Sequence, residues 1–584
     1  MKNSLETSIN NSNLLFNTGR RKEAFGLILR LIKKHPDVRK LRVIFSQMAC
    51  DAGVDIPCNP NVSRELAYCL DHNVGDARRL LLASGALLSK DATFINGITL
   101  LGLRDIEANY QALQQGQLRP ITHNILLHSL LRNLLLTNRE YDLAMSQLRR
   151  LLLYTLANED KPWEPSKNIA SKFCSSLATQ CQLNEYVYIC DTMESEQIEK
   201  LKVAIETSLI NKEKIDERTE LAFLVFAMYR PLQSLAIDPS LWKRLRKFCP
   251  KTTATHIDEI DNWLYEQSII TRIETLTTIE DETSNAIREH YEENPYPRWI
   301  NLPDRRRMSF RNWLGETAPH FDAPQEFQNP IRLFVAGCGT GLEAISATTT
   351  WDTDQVLAVD LSKSSLAYAI RKSGELGLLD KIDFKQADIL RLGILPGDYR
   401  NFDVITSSGV LHHLRDPMAG FRILLELLAP NGIFRFALYS ELARRHVVKA
   451  RKYILENKIE PNPDGIRNLR NKILRLKLPE LNELPKNPDM YSLSTCRDLL
   501  FHAQETRYTL PKIEQLLAEL DLEFIAFEGI ENAKRIYRIK YRDDAQMTNL
   551  ANWAKFEEEH PDTFESMYAI IARKRQERAQ IKKH

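Results

Sequence analysis

The chain lacks any run approaching the roughly 20 apolar residues that a membrane helix needs. Residues 1–16 are polar and rich in Asn and Ser, where a secretory leader would carry an apolar stretch. A cytoplasmic location with no membrane partner is therefore expected. There is no CxxC pair: the nine cysteines, Cys50, Cys58, Cys69, Cys174, Cys181, Cys190, Cys249, Cys338 and Cys496, are scattered and odd in number. That speaks against a disulfide framework and against a zinc site, so reduced, mostly buried thiols and no metal are expected. Nor is there an excess of either charge, since 79 basic and 77 acidic residues leave a formal +2. No global field draws the chain to nucleic acid. What is present is 584 residues at 43% hydrophobic content, too long for one core and apolar enough to fold as two or more domains.

From residue 11 to about 280, helix follows helix, with segments 24–34, 125–136 and 141–156 carrying apolar residues at three- and four-residue spacing. Residues 19–36 fit the second helix of a tetratricopeptide unit: Ala24, Ile28, Leu31 and Pro36 stand where that repeat places small, large, medium and terminating residues. Ala144, Leu148 and Leu151 repeat the spacing. Two partial matches so far apart do not make a regular solenoid, which needs about three adjacent units. The expectation is an irregular, tetratricopeptide-like α-helical domain over residues 1–280. Two roles stay open for it, covering and self-associating the chain or presenting a groove to a protein partner.

The texture changes at residues 284–299, S-N-A-I-R-E-H-Y-E-E-N-P-Y-P-R-W, where Pro295 and Pro297 force an extended path. Residues 281–330 read as a connector and lid, with Asn294 to Pro297 a turn able to fold over a ligand pocket. The cluster Arg305, Arg306, Arg307 and Arg311 reads first as solvated surface and second as an anion contact. A strand over 331–336, glycines at 337, 339 and 341, a helix from Leu342 and a strand over 356–360 then form a βαβ unit. The glycines bring bare amides to a ligand, and the helix adds its free N–H groups and positive dipole end. A nicotinamide-binding turn wants its third glycine at 342, where Leu342 stands, which disfavours an oxidoreductase. Asp360, nineteen residues after Gly341, is placed to accept both hydroxyls of a ribose.

Further strands are expected at 382–386, 402–407 and 432–439, with an antiparallel pair at 522–527 and 567–572 finishing the sheet. Asp388 lies just beyond a strand end, where it either accepts an adenine amino group or caps the next helix. Together V-A-G-C-G-T-G, V-D-L-S, Q-A-D-I, F-D-V-I-T-S-S-G-V-L-H-H-L and L-L-A-P-N-G resemble class I S-adenosylmethionine-dependent methyltransferases. The strings at 290–299, 438–444 and 496–502 resemble bacterial proteins that join tetratricopeptide-like helices to such a domain.

The resemblance implies a doubly wound, Rossmann-like α/β fold with S-adenosylmethionine as cofactor. Its contacts would be Gly337, Cys338, Gly339, Thr340, Gly341, Asp360, Leu361, Asp388, Ile389, Ser407 and Ser408, with Ser407 to Gly409 as the floor under the methyl group. One departure is Val335, where such enzymes often carry an acid that holds the cofactor's amine. The cofactor core spans 331–439, a helical insertion over 440–507 roofs the acceptor, and 508–584 holds the last helix, two strands and a charged tail.

Methyl transfer from a sulfonium is an in-line displacement, so the protein aligns the acceptor and, where needed, takes its proton. His412 and His413 lie in the loop after the fourth strand, either as base or as rings packed beneath the cofactor, and Tyr439 and His502 complete the candidate catalytic set. That loop reads Ser407-Ser-Gly-Val410, without the (Asp/Asn)-Pro-Pro-aromatic element of amino-methylating DNA and glutamine methyltransferases. In the insertion Glu441, Arg444, Asp498, His502 and Gln504 are either acceptor contacts or ordinary charges of an exposed helix. The function expected is methyl transfer to an acceptor that the residues do not name, a macromolecule or carrier-bound substrate being favoured, with the helical domain framing or recruiting it. The alternative is a non-catalytic scaffold whose helices bind a protein partner.

Overall fold

The computed structural model describes residues 2–157, 171–211, 216–293, 295–302, 306–502 and 504–575. Met1, Asn294, Arg305 and the tail over 576–584 lie outside them. The chain forms two compact units. The first comprises Met1–Asn262, Trp299–Asp304 and Ile459–Arg497, and the second Trp263–Arg298, Arg305–Lys458 and Asp498–His584. The border thus falls at 262, ahead of the expected 280, and the expected insertion is shared between the units. The cause of the first difference is local: Leu276 donates its amide to the Gln386 carbonyl and Gln386 donates to Glu274, both at 2.8 Å, which ties residues 274–276 to the sheet edge.

In the first unit consecutive helices such as Lys2–Asn17, Arg21–Lys34 and Arg39–Ala52 pack side by side. Their starts follow from the sequence: Asp76, Asp91, Asp105 and Asn124 each cap a helix with a side-chain oxygen. The buried stripe of Arg21–Lys34 is Ala24, Phe25, Ile28 and Ile32, leaving Leu31 half-buried and Pro36 exposed. Helix Arg139–Ala157 buries Ala144, Leu148 and Leu151. Inside this unit Arg470 pairs with Asp142, both buried. Among the described residues no helix is long and apolar enough to cross a membrane. All nine cysteines are free; five are buried and Cys58 is exposed.

The second unit is built on seven strands: β1 Ile331–Ala336, β2 Thr353–Asp360, β3 Ile382–Gln386, β4 Phe402–Ser408, β5 Leu428–Tyr439, β6 Leu522–Phe527 and β7 Met567–Lys574. Their order is β3-β2-β1-β4-β5-β7-β6. The first five are parallel, and β7 runs antiparallel to both β5 and β6. Near-continuous apolar runs such as Leu333 to Ala336 and Val356 to Val359 are buried on both faces, as a helix-covered parallel sheet demands. β5 starts at Leu428 instead of 432, because Leu428 pairs with Phe402 ahead of a register shift. One core layer joins Phe334, Leu357, Ile405 and Phe434 to Phe421, Trp553 and Tyr568. The indole of Trp553 is satisfied by the Met547 carbonyl at 2.8 Å.

Burial sets a pH limit on the helical unit. His128, bonded to the Thr122 carbonyl, and His256, beside Ser175, are both pushed down to about 4, first by desolvation. Unfolded, each titrates near ~6.5. The unfolded chain therefore gains protons first on acidification, and the stability held by the neutral rings is complete above about 6.5 and lost as pH falls from there towards 4. The urea midpoint should drop between about pH 7 and about pH 5. The double variant His128→Gln, His256→Gln should drop less, and an equal drop in both proteins would refute the assignment.

Candidate functional site

The strand order reverses between β1 and β4, so their carboxyl ends part and leave the crevice in which open α/β sheets bind ligands. The turn after β1 lines it. Gly339 and Gly341 have φ of 51° and 79°, a left-handed conformation that suits glycine. A Cβ on Gly339 would collide with the Tyr296 carbonyl, and one on Gly337 with the Val410 side chain. Asp360, at the end of β2, accepts the Gly339 amide on one oxygen at 2.8 Å and the Ser362 amide on the other at 2.9 Å. A carboxylate offers about four lone-pair sites, so two remain for the hydroxyls of a ribose. Burial pushes the Asp360 carboxyl above its ordinary range, while these amides act against the rise.

Asp388 follows β3 and combines the two roles open to it. Its Oδ1 caps the turn Ile389–Ile394 by accepting the Leu390 amide at 3.0 Å, and its own amide donates to Thr277 at 2.8 Å. Its Oδ2 is buried without a donor. A buried acceptor left open costs about 1–3 kcal/mol, and an exocyclic amine is the donor that would satisfy it. The residues present therefore fit an adenosyl ligand.

The other expected contacts divide. Thr340 is turned to the segment before β1: its amide donates to the Tyr296 carbonyl at 3.1 Å and its hydroxyl to the Pro297 carbonyl. Cys338 and Ile389 are buried in the walls, and desolvation holds the Cys338 thiol well above its usual range. The Leu361 carbonyl accepts the Gln386 side-chain amide at 2.8 Å. Ser407 and Ser408 do not form one floor, because successive strand residues point to opposite faces. Ser407 is buried with its hydroxyl unpaired, and Ser408 is exposed and donates to Glu343 at 3.3 Å. Val335 shares a row with Thr406 and Arg435 across the sheet. A carboxylate near that row comes instead from Glu343, 3.5 Å from Arg435 in the first turn of helix Leu342–Thr350. Burial raises the Glu343 carboxyl.

Two residues escaped the sequence reading. Glu292 accepts the Lys363 and Ser364 amides at 2.7 and 3.0 Å and so caps helix Lys363–Glu375 from a distance. The Tyr291 carbonyl accepts the Ser362 hydroxyl at 3.1 Å, while its phenol donates to Asp498 Oδ1 at 2.9 Å. No sequence spacing signals either, since the partners lie about seventy residues and more away.

Beside the crevice lies a polar cluster. His412 is fully buried, 3.9 Å from the Tyr439 ring between centroids. His413 Nδ1 is 2.9 Å from the Gln504 carbonyl, which can only accept, so Nδ1 carries the proton. His413 Nε2 then accepts from His412 Nε2 at 3.1 Å. His502 stacks on His413 at 3.7 Å, and its Nδ1 accepts the Gln504 amide at 3.2 Å. Tyr439 donates to Asp498 Oδ2 at 3.4 Å. Desolvation lowers all three histidines, His412 to well below the usual range and His502 to about 3, while Asp498 acts against the fall in His413 and His502. Burial works against charge on Asp498, but His413, His502 and the Tyr291 phenol outweigh it and lower that carboxyl.

Arg444 is spent on a buried pair with Glu505, at 2.8 and 2.6 Å, and Glu441 pairs at the surface with Lys512 at 3.3 Å. His413, Asp498 and His502 set ligand atoms within 4.8 Å of one another, the one such group found among the described residues. Of the expected acceptor contacts, the structure therefore brings together His412, His413, Tyr439, Asp498, His502 and Gln504, and not Glu441.

Residues 334–436 match the family model described as a methyltransferase domain. An uncharacterized protein of Synechococcus sp. is 30% identical over 34% of this chain and 48% of its own length. The mRNA cap guanine-N(7) methyltransferase of Schizosaccharomyces pombe is 26% identical over 24% and 41%. The chain thus spans about half or less of the length of these curated relatives. Among solved structures, PKMT2 from Rickettsia typhi in complex with AdoHcy is similar at 16% identity, covering 47% of this chain and 55% of that one with a TM-score of 0.37. The domain match, falling on the strands that build the crevice, supports a class I methyltransferase with S-adenosylmethionine as its cofactor.

Proposed function

We propose that the α/β unit moves a methyl group from S-adenosylmethionine to an acceptor seated beside His412, His413, Tyr439 and His502. The observation that carries this reading is the pair of carboxylates at the switch point: Asp360 with lone pairs to spare and Asp388 with a buried oxygen lacking a donor. When bound, the cofactor supplies an electrophilic methyl carbon on a sulfonium. Asp360 accepts the ribose hydroxyls, Asp388 Oδ2 the adenine amine, and the glycine turn lies towards the amino-acid end.

The segment around Tyr296, tied to Thr340, covers the turn and keeps water from it. Val410, against Gly337, leads into the His412–His413 turn and so links the donor side to the acceptor side. The helical unit, with its tetratricopeptide-like spacing, frames or recruits the acceptor, for which a macromolecule or carrier-bound substrate is favoured. The location proposed is the cytoplasm.

Saturable binding of S-adenosylhomocysteine, read by calorimetry, tests the foundation; its absence in the full chain would end the proposal. Asp360→Ala removes two charge-assisted hydrogen bonds, each worth about 1.5–3 kcal/mol, and should weaken binding about 100-fold or more. Gly339→Ala puts a methyl group against the Tyr296 carbonyl and should also weaken binding while leaving the far-ultraviolet circular dichroism unchanged. Undiminished affinity in either variant counts against the crevice as the binding site.

A further inference from the structure

We propose that Glu343, with the hydroxyls of Thr406 and Ser408 beside it, is the seat of the cofactor's α-ammonium group. This rests on the methyl-transfer reading above and adds the residue that holds the amino-acid end.

The charges around Glu343 do not balance. Arg435 is shared by two carboxylates: it gives its fork to Glu528, at 2.9 Å from Nε and 2.8 Å from Nη2, and reaches Glu343 only through Nη1 at 3.5 Å. The rings of Trp313 and Trp351, 5.0 and 4.9 Å away, hold the guanidinium in that position. Two carboxylates on one guanidinium leave a negative charge over, and among the described residues no other cation lies within ion-pair distance of Glu343. Burial raises the Glu343 carboxyl and Glu528 adds to the rise, while Arg435 acts against it without cancelling it. A cationic ligand favours the charged form of such a group.

The surroundings of Glu343 are open to one. Ser408, at the end of β4, is exposed and donates to Glu343 at 3.3 Å, and the Glu343 side chain is itself 26% exposed. Thr406, opposite Arg435 in the sheet, is fully buried, and its hydroxyl, turned to Glu343, has no partner within hydrogen-bond distance. Neither Val335 nor any other member of the row Val335, Thr406 and Arg435 supplies a carboxylate, so Glu343 is the anion there. Helix Leu342–Thr350 also lacks a side-chain cap, which leaves its first amides to the ligand's α-carboxylate.

The position agrees with the order of groups in the cofactor. Along their carboxyl ends the strands run β3, β2, β1, β4. Asp388 follows β3, Asp360 ends β2, the glycine turn follows β1, and Glu343 meets β4 at Ser408. In the cofactor the ribose stands between the adenine and the amino acid. A molecule with its adenine amine at Asp388 and its ribose at Asp360 therefore has its amino-acid end on the side of Glu343.

The test measures binding to the full chain by calorimetry with three probes: S-adenosylhomocysteine; S-adenosyl-4-thiobutyrate, which keeps the carboxylate and lacks the amine; and 5′-methylthioadenosine, which lacks both. The wild type should bind S-adenosylhomocysteine about 10-fold or more tightly than the thiobutyrate, the worth of a charge-assisted hydrogen bond. Glu343→Gln, which keeps the shape and removes the charge, should lose about 10-fold or more in S-adenosylhomocysteine affinity. It should bind 5′-methylthioadenosine unchanged, and the thiobutyrate as well as the wild type does or better, since a like charge is gone. A wild type that binds the thiobutyrate as tightly as S-adenosylhomocysteine overturns the assignment, and that comparison requires no variant to fold. Equal losses for all three probes in Glu343→Gln also overturn it, leaving Glu343 a structural partner of Arg435. Failure of the wild type to bind S-adenosylhomocysteine overturns the methyl-transfer reading beneath it.

Discussion

One carboxylate organises the crevice. Asp360 holds the amide of Gly339 on one oxygen and that of Ser362 on the other, so the turn after β1 and the start of the helix after β2 share a single anchor. Two parallel strands end side by side, and without this link their loops would be free to diverge. With it, the glycine turn and the helix N-terminus are held side by side at the crevice. The burial that raises the Asp360 pKa also makes each amide bond count for more, since an anion in a dry site depends on the donors around it.

The same economy of donors governs the neighbouring cluster. Tyr291 accepts the Ser362 hydroxyl on its carbonyl, beside Asp360, and reaches Asp498 through its phenol. Glu292, the next residue, caps helix Lys363–Glu375. A single helix end, Glu282–Glu293, therefore positions both halves of the site. Around Asp498 the imidazoles bond to one another and to the Gln504 backbone, and His412 Nδ1 is left buried without a partner. Arg444 lies 3.7 Å over the Tyr439 ring and locks it by way of Glu505, so rigidity comes from an ion pair that does not touch the carboxylate.

Much of the α/β unit was legible because its signals are local. The runs of β1, β3 and β6 coincide with the structure residue for residue, and Gly337, Gly339 and Gly341 mark a turn whose φ values require them. Asp388 was legible as a strand-end acid, but only the fold shows it capping with one oxygen and leaving the other open. Ser407 and Ser408 looked like one floor in the sequence, and strand alternation parts them. Glu343 stands near the row where Val335 replaces the expected acid, a relation invisible in the chain because it joins a helix to a neighbouring strand.

By itself the sequence determined the order of the elements and the chemistry of the turn, since apolar periodicity, glycine conformation and helix capping act over a few residues. Tertiary structure decided the rest: where the chain parts into two units, which strand edge receives residues 274–276, and how Tyr291, Tyr439 and Asp498 come to share one hydrogen-bonded cluster. Those partners are separated by dozens to hundreds of residues. Their meeting depends on burying both faces of one sheet, a condition that the whole unit satisfies at once and no short stretch records.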